Sequence, residues 1–367
     1  LNKIIVFPLL AAVFSATGLY AQSGKDGLDP AGFVTKYDPD FKGIGPEVYV
    51  LPAPRSKKEE LVDSYKEKTN FYDSISNQLD YQNLIEGYKS TSNKGYILQN
   101  FNPLPTTDAE WEALILKLQQ NNNQILAAGI ANEYALELIR KGELTKAIAV
   151  LGTGMKGIPP GTDWSVLQFN LANTFLYNGN NNDAIALQEN YLKTATSNKD
   201  LTEQANVLVG IAMSEAYKNN YRAAENTIIR RAIPLYNKVK DMNGKVIAWT
   251  KLARIYQMQN KHTEAQWFLI QARDLAKARN FEKDLPEIEY MLGYSKYVQQ
   301  NFKVAKLELE KAKTMANDEN NKILQLAISD KLGDIYLKLG DYKEAELALE
   351  EYWQLRREIF PNSLVNL

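Results

Sequence analysis

Residues 249–272 read WTKLARIYQMQNKHTEAQWFLIQA. Trp249, Leu252, Ala253 and Tyr256 are spaced by three, four and seven residues, so in a helix they share one face. Asn260-Lys261 interrupts the run, and Ala265, Leu269 and Ala272 start a second stripe of the same period. The stretch therefore encodes two amphipathic helices joined by a tight turn. The C-terminal part repeats the arrangement as Leu332-Gly333-x-x-Tyr336, the turn Gly340-Asp341-Tyr342, and Ala345-x-x-x-Leu349.

Two small positions track this unit upstream. In the first helix they are Ala135, Ala172, Ala212, Ala253, Gly293 and Gly333; in the second, Ala147, Ala184, Ala224, Ala265, Ala305 and Ala345. The separation within every unit is 12, and the second series advances by 37, 40, 41, 40 and 40. Antiparallel helices approach closely only where side chains are small, and a large residue there would overpack the contact. Turn residues that tolerate the left-handed conformation separate the helices: Lys141-Gly142, Gly179-Asn180, Asn219-Asn220, Asn260-Lys261, Gln300-Asn301 and Gly340-Asp341.

These units resemble the tetratricopeptide repeat, W-x-x-L-G-x-x-Y followed by A-x-x-x-F, stretched from the common 34 residues to about 40. The resemblance implies an all-α, right-handed solenoid of about six helix pairs over residues 128–360, with a tail at 361–367. Glu215 and Lys296 stand where the repeat favours Tyr, and Pro234 falls late in the second helix of the third unit.

Upstream, residues 1–21 have a basic Lys3, an apolar run from Ile4 to Phe14 and small residues up to Ala21. They read as a leader peptide cleaved after Ala21. The run is too short to span a bilayer. The expected location is therefore the bacterial periplasm or the exterior, with no integral membrane segment after leader removal. Residues 22–55 are dense in Gly and Pro and predict an extended or disordered linker. Residues 56–127 predict an N-terminal helical region that covers the first repeat, with Thr107-x-x-Glu110 as a capping box.

Composition removes several function classes. The chain of 367 residues has 43 basic and 44 acidic side chains and a net charge of −1, which disfavours nucleic acid as a partner. There is no cysteine and one histidine, so thiolate chemistry and multi-histidine zinc sites are excluded. His262 falls in an inter-helix turn and reads as a packing residue. Gly152-x-Gly154-x-x-Gly157 matches a dinucleotide fingerprint as a string, but a helix precedes it and Pro159-Pro160 follows. Asp38-x-Asp40-x-x-Gly43 lacks the acidic twelfth residue of a calcium loop. No catalytic residue, cofactor site or metal site is expected. Asn132 with Leu136, and Asn206 with Gly210, form too incomplete a set for a chaperone-type carboxylate clamp.

In this repeat family the first helix of each pair lines the groove. Carrying that over places Phe169, Asn170, Asn173 and Tyr177 of the second unit there, and Met213 and Tyr217 of the third. The fourth contributes Lys251, Arg254 and Met258, and the fifth Tyr290, Tyr294 and Tyr297. Tyrosine offers contact area at small entropic cost and methionine adapts to varied apolar ligands. The expectation is an exported, non-catalytic scaffold that binds a protein or peptide in this groove. The alternatives are a structural subunit of an envelope secretion or surface-assembly complex, and a carboxylate-based enzyme acting on glycans.

Overall fold

The computed structural model describes residues 56–68, 72–156, 158 and 164–360, and the backbone of 34–35 and 49–50. Residues 1–57 and 58–367 are separate compact units. In the first, β1 (Val34–Thr35) pairs antiparallel with β2 (Tyr49–Val50), Val34 opposite Val50. The leader, the Asp38 motif, Gly157, and the 361–367 tail lie outside the described residues.

The second unit is an α-solenoid. Before the repeats come α1 (Lys57–Glu67), α2 (Tyr72–Glu86), α3 (Lys94–Asn100) and α4 (Asp108–Gln120). The first two pairs are α5 (Gln124–Arg140) with α6 (Leu144–Met155), and α7 (Ser165–Tyr177) with α8 (Asn181–Ser197). In the third, α9 (Leu201–Tyr217) faces the continuous run of α10 (Tyr221–Thr227) and α11 (Ile233–Val239). The last three pairs are α12 (Met242–Met258) with α13 (His262–Arg279), α14 (Leu285–Val298) with α15 (Phe302–Asp318), and α16 (Lys322–Leu339) with α17 (Tyr342–Ile359).

The small positions lie in the contacts they were expected to permit. The ten alanines are at most 2% exposed. A β-carbon on Gly293 would sit 2.6 Å from Leu309 Cγ of the paired helix. Gly333 differs: its missing β-carbon leaves room for the Tyr65 hydroxyl, which would be 2.4 Å away. That glycine accommodates the N-terminal segment, not the partner helix.

Each turn inside a pair has one residue at positive φ: Gly142, Gly179, Asn219, Asn260, Gln300 and Gly340. The following N–H then bonds the carbonyl five residues back, as in Asn301 N to Lys296 O and Asn220 N to Glu215 O, both 2.9 Å. This is the Schellman closure. It uses the carbonyl of the repeat's Tyr position, and any residue supplies a carbonyl. Glu215 and Lys296 are tolerated there for that reason. The third unit's 41-residue step is absorbed by a π-turn at Ile228–Ala232, just before Pro234. A π-turn takes in one extra residue, and the proline ring blocks the ordinary bond at that point. Ala224, Ile228 and Tyr236 consequently all stay buried.

At the N-terminal end, α4 covers α5. Thr107 and Glu110 form the expected capping box. Trp111 stacks on Tyr134 with ring centroids 5.4 Å apart. Helices α1 and α2 take another course. Tyr65 of α1 meets α16 and α17, and α2 runs through the groove, packing on α5, α7 and α16.

Candidate functional site: a groove that holds a segment of its own chain

The first helices of the pairs line a groove, and residues 65–68 and 72–89 contact it from the last pair to the first. At one end, the Tyr65 hydroxyl donates to the Ala345 carbonyl at 2.6 Å. Lys68 lies between Asp330 and Asp334, 2.8 Å from each, with the Lys68 and Asp330 side chains almost fully buried. Burial alone would raise the Asp330 carboxyl, but Lys68 and Lys331 hold it below its ordinary value.

In the middle, α2 presents a polar edge to α12. Asp80 pairs with Arg254, which also donates to the Tyr217 hydroxyl at 3.3 Å. Lys251 donates to the Asn83 carboxamide at 2.7 Å. The apolar seat of α2 is split between two cores: Ile75 is buried, with Leu79 beside it, among residues of the last pairs, and Leu84, with Tyr81 and Ile85, among those of the first.

The far end is a clamp on main chain. The Asn170 carboxamide accepts from the Lys89 N–H at 2.9 Å and donates to the Lys89 carbonyl at 2.8 Å. Asn132 donates to the same carbonyl at 3.2 Å, and its own oxygen accepts from Asn170 at 2.8 Å. The Tyr88 hydroxyl donates to the Asn132 carbonyl at 2.9 Å. The Lys89 ammonium meets Glu203 at 2.6 Å and lies 4.0 Å from the centre of the Phe169 ring. Tyr191 donates to Glu203 at 2.7 Å. Burial would raise the Glu203 carboxyl, yet Lys89 and Tyr191 keep it low. A carboxamide pair reads N–H and C=O and is indifferent to the side chain. Phe169 and Glu203 supply selectivity for a cation beside it.

Two openings flank α2. A cavity of about 230 Å³ is lined by Ile75, Leu79, Met258, Tyr290 and Tyr294. A larger one of about 680 Å³ collects Glu86, Glu282, Asp284, Glu287 and Glu319 with Lys251 and Lys283. Asp284 is raised by burial and then by Glu287, and Glu319 by burial and then by Glu86. Among the described residues, no group of three or more His, Cys, Asp or Glu is placed to hold a metal ion.

The residues expected from sequence fall into three sets. Phe169, Asn170, Tyr217, Lys251 and Arg254 touch the N-terminal segment or a residue that does. Tyr177, Met258, Tyr290 and Tyr294 line the two openings. Tyr290 and Tyr294 stack on each other at 6.4 Å. Tyr297 donates to Asp334 at 3.2 Å, the carboxylate that also receives Lys68. Asn173 is half-buried beside Gly210. Met213 is not groove surface: it is 6% exposed and belongs to the core joining the second to fifth pairs. Its position on the helix turns it toward the neighbouring repeat. His262 packs edge-on against Tyr294 at 6.1 Å, and burial lowers its pKa.

Sequence reading missed the pairing of Asn132 with Asn170, the Glu203 seat and the Asp330/Asp334 pair. The 38-residue offset between the two asparagines matches the repeat and was available as a signal.

No family model matches the sequence, and no curated protein matches it. Solved structures give the fold. A Rap protein complexed with competence and sporulation factor superposes with a TM-score of 0.51 at 10% identity, covering 82% of this chain and 99% of that one. A STAND signal-transduction ATPase from Pyrococcus horikoshii with a tetratricopeptide repeat sensor gives 0.52 at 16% identity, over 85% of this chain and 50% of the other. The fold is that of tetratricopeptide-repeat proteins.

Proposed function

We propose that this tetratricopeptide-type solenoid is an exported, non-catalytic scaffold that binds a segment of another protein in its groove. One observation carries the reading. The groove already binds polypeptide, because Asn132 and Asn170 hold both main-chain polar groups of Lys89. The Rap structure, solved with a bound factor, supports the same use of the fold. Export rests on the residue 1–21 pattern, and mass spectrometry of the native N-terminus tests it.

A photo-crosslinking amino acid placed at Tyr294 in the native host tests the groove. A discrete adduct of one partner is expected. The second reading, a structural subunit of an envelope assembly, draws on a different surface. Trp267, Leu307 and Leu347 are each half exposed or more, at the same register on three successive second helices. Adducts from position 267 with none from position 294 would move the interface there and refute the groove.

A further inference from the structure

We infer that α2 is a displaceable occupant of the groove, and that the partner which replaces it is an amphipathic helix carrying carboxylates opposite Arg254 and Lys251. This rests on the scaffold reading above and names its ligand.

Four observations separate α2 from a permanent strut. First, its buried apolar anchors lie toward its ends, and its middle is held by polar contacts to Arg254 and Lys251. Tyr65 and Ile97, on the flanking helices, are at most 5% exposed. Within α2, Ile75 and Leu84 are equally buried, and between these two Leu79, Asp80 and Asn83 are only partly buried. Second, solvent-open clefts of about 230 and 680 Å³ flank α2, so the groove holds room beside it that α2 does not fill. Third, Lys251 is met by the neutral carboxamide of Asn83. A carboxylate in that place would form a charge-assisted bond about twice as strong. Fourth, Glu86 in the last turn of α2 lines the same opening as Asp284, Glu287 and Glu319. A carboxylate at a helix C-terminus also opposes the helix dipole. The contact is thus attractive at Asp80, weaker than it could be at Asn83 and repulsive at Glu86.

The ligand's chemistry follows from the seat. It needs a carboxylate for Arg254, which forms its ion pair with Asp80 and has the Tyr217 hydroxyl as a further hydrogen-bond partner and Glu287 nearby. A second carboxylate three residues on suits Lys251. Apolar side chains in place of Ile75 and Leu79 would fill the opening lined by Met258 and Tyr290. Because α2 is tethered, it competes at high effective concentration, and apparent affinity falls with the closed fraction.

The probe is a fluorescein-labelled synthetic peptide with the sequence of residues 72–86 carrying Asn83→Asp and Glu86→Gln. The proteins are the full-length wild type, Asp80→Asn and Arg254→Met. Binding is read by anisotropy, and α2 protection by amide hydrogen exchange. The Asp80→Asn chain should bind the peptide about tenfold more tightly than wild type, and its α2 amides should exchange faster. Arg254→Met should bind neither strongly nor in proportion to opening. In unaltered protein, excess peptide should speed α2 exchange and leave α13 and α15 unchanged; this arm holds even if the variants fold poorly. If α2 exchange is unmoved by Asp80→Asn and by peptide, α2 is a fixed part and the inference fails. If α2 opens but no peptide binds, the groove is no receptor for helices, and the scaffold reading fails with it.

Discussion

Replacing Asn170 tests whether the groove reads main chain. Its carboxamide is fully buried and makes three bonds, one accepted and two donated. Asn170→Ala orphans the Lys89 N–H, which costs about 1–3 kcal/mol. The Lys89 carbonyl keeps Asn132 and the Asn132 oxygen keeps Tyr88, so the remaining loss is about one net bond. The expected total is about 2–4 kcal/mol. Asn170→Asp is nearly isosteric but should be worse. It retains the acceptor and turns the donor into an oxygen facing two oxygens, and it buries an unpaired charge. The order depends on pH. Burial raises that new carboxyl above its unfolded value, so the folded state gains protons, and stability, as pH falls through the raised pKa. The Asp variant should therefore recover relative to Ala between about pH 7 and about pH 5. Urea unfolding at both pH values, with hydrogen exchange of residues 84–94, measures this. An Ala variant losing under about 0.5 kcal/mol, or an Asp variant equal to Ala at neutral pH, would refute the clamp.

Three further outcomes follow from the fold. Ala265→Phe should lower stability by about 1–3 kcal/mol through overpacking between α12 and α13, and an unchanged melting temperature would contradict the helix-pair register. Gln300→Gly should raise stability by about 0.5–1 kcal/mol, because Gln300 holds a φ of 60° that glycine adopts without strain; equal or lower stability in chemical denaturation would refute that cost. Glu86→Gln should stabilise the chain by a few tenths of a kcal/mol after solvent screening. Asp284 and Glu319 have raised pKa values and so become protonated, and stop repelling Glu86, as pH falls. The Glu86→Gln gain should accordingly shrink on acidification, and a gain that grew instead would place the repulsion elsewhere.

The solenoid was legible because its determinants are local and periodic. Ala265 and Leu269 lie on one helix, four residues apart, and Asn260 follows the helix it terminates. Each unit restates the same solution, so departures such as Glu215 and Lys296 do not hide the two small positions and the turn that all six share. The 41-residue step was visible, whereas the π-turn that absorbs it was not: the sequence registers an extra residue but not which hydrogen bonds widen to admit it. Groove residues were partly legible for the same reason. The first-helix positions recur, and most have a polar or aromatic tip. Met213 shows the limit of that reasoning, since an adaptable side chain suits a core as well as a groove.

The groove's occupant left no comparable trace. Asp80 and Arg254 are 174 residues apart, and Tyr65 and Ala345 are 280 apart. No periodicity links such pairs. Helix α2 is partly buried along most of its described length, yet its two fully seated apolar residues, Ile75 and Leu84, stand nine positions apart and belong to different cores, so its pattern does not say which helices it meets. The clamp hides its ligand more completely still. Asn132 and Asn170 bond the N–H and C=O of Lys89, groups that nearly every residue carries. Nothing at position 89 had to be written in sequence for the main chain to be held. What the sequence does encode there is the side-chain choice, the Lys89 ammonium between Phe169 and Glu203. The groove thus holds its own segment by main-chain groups at Lys89 and by a few charges, Glu203 at one end and Arg254 in the middle. That mode of holding is what the displacement proposed above would exploit, since main-chain bonds are common to any segment and only the charges would favour another over α2.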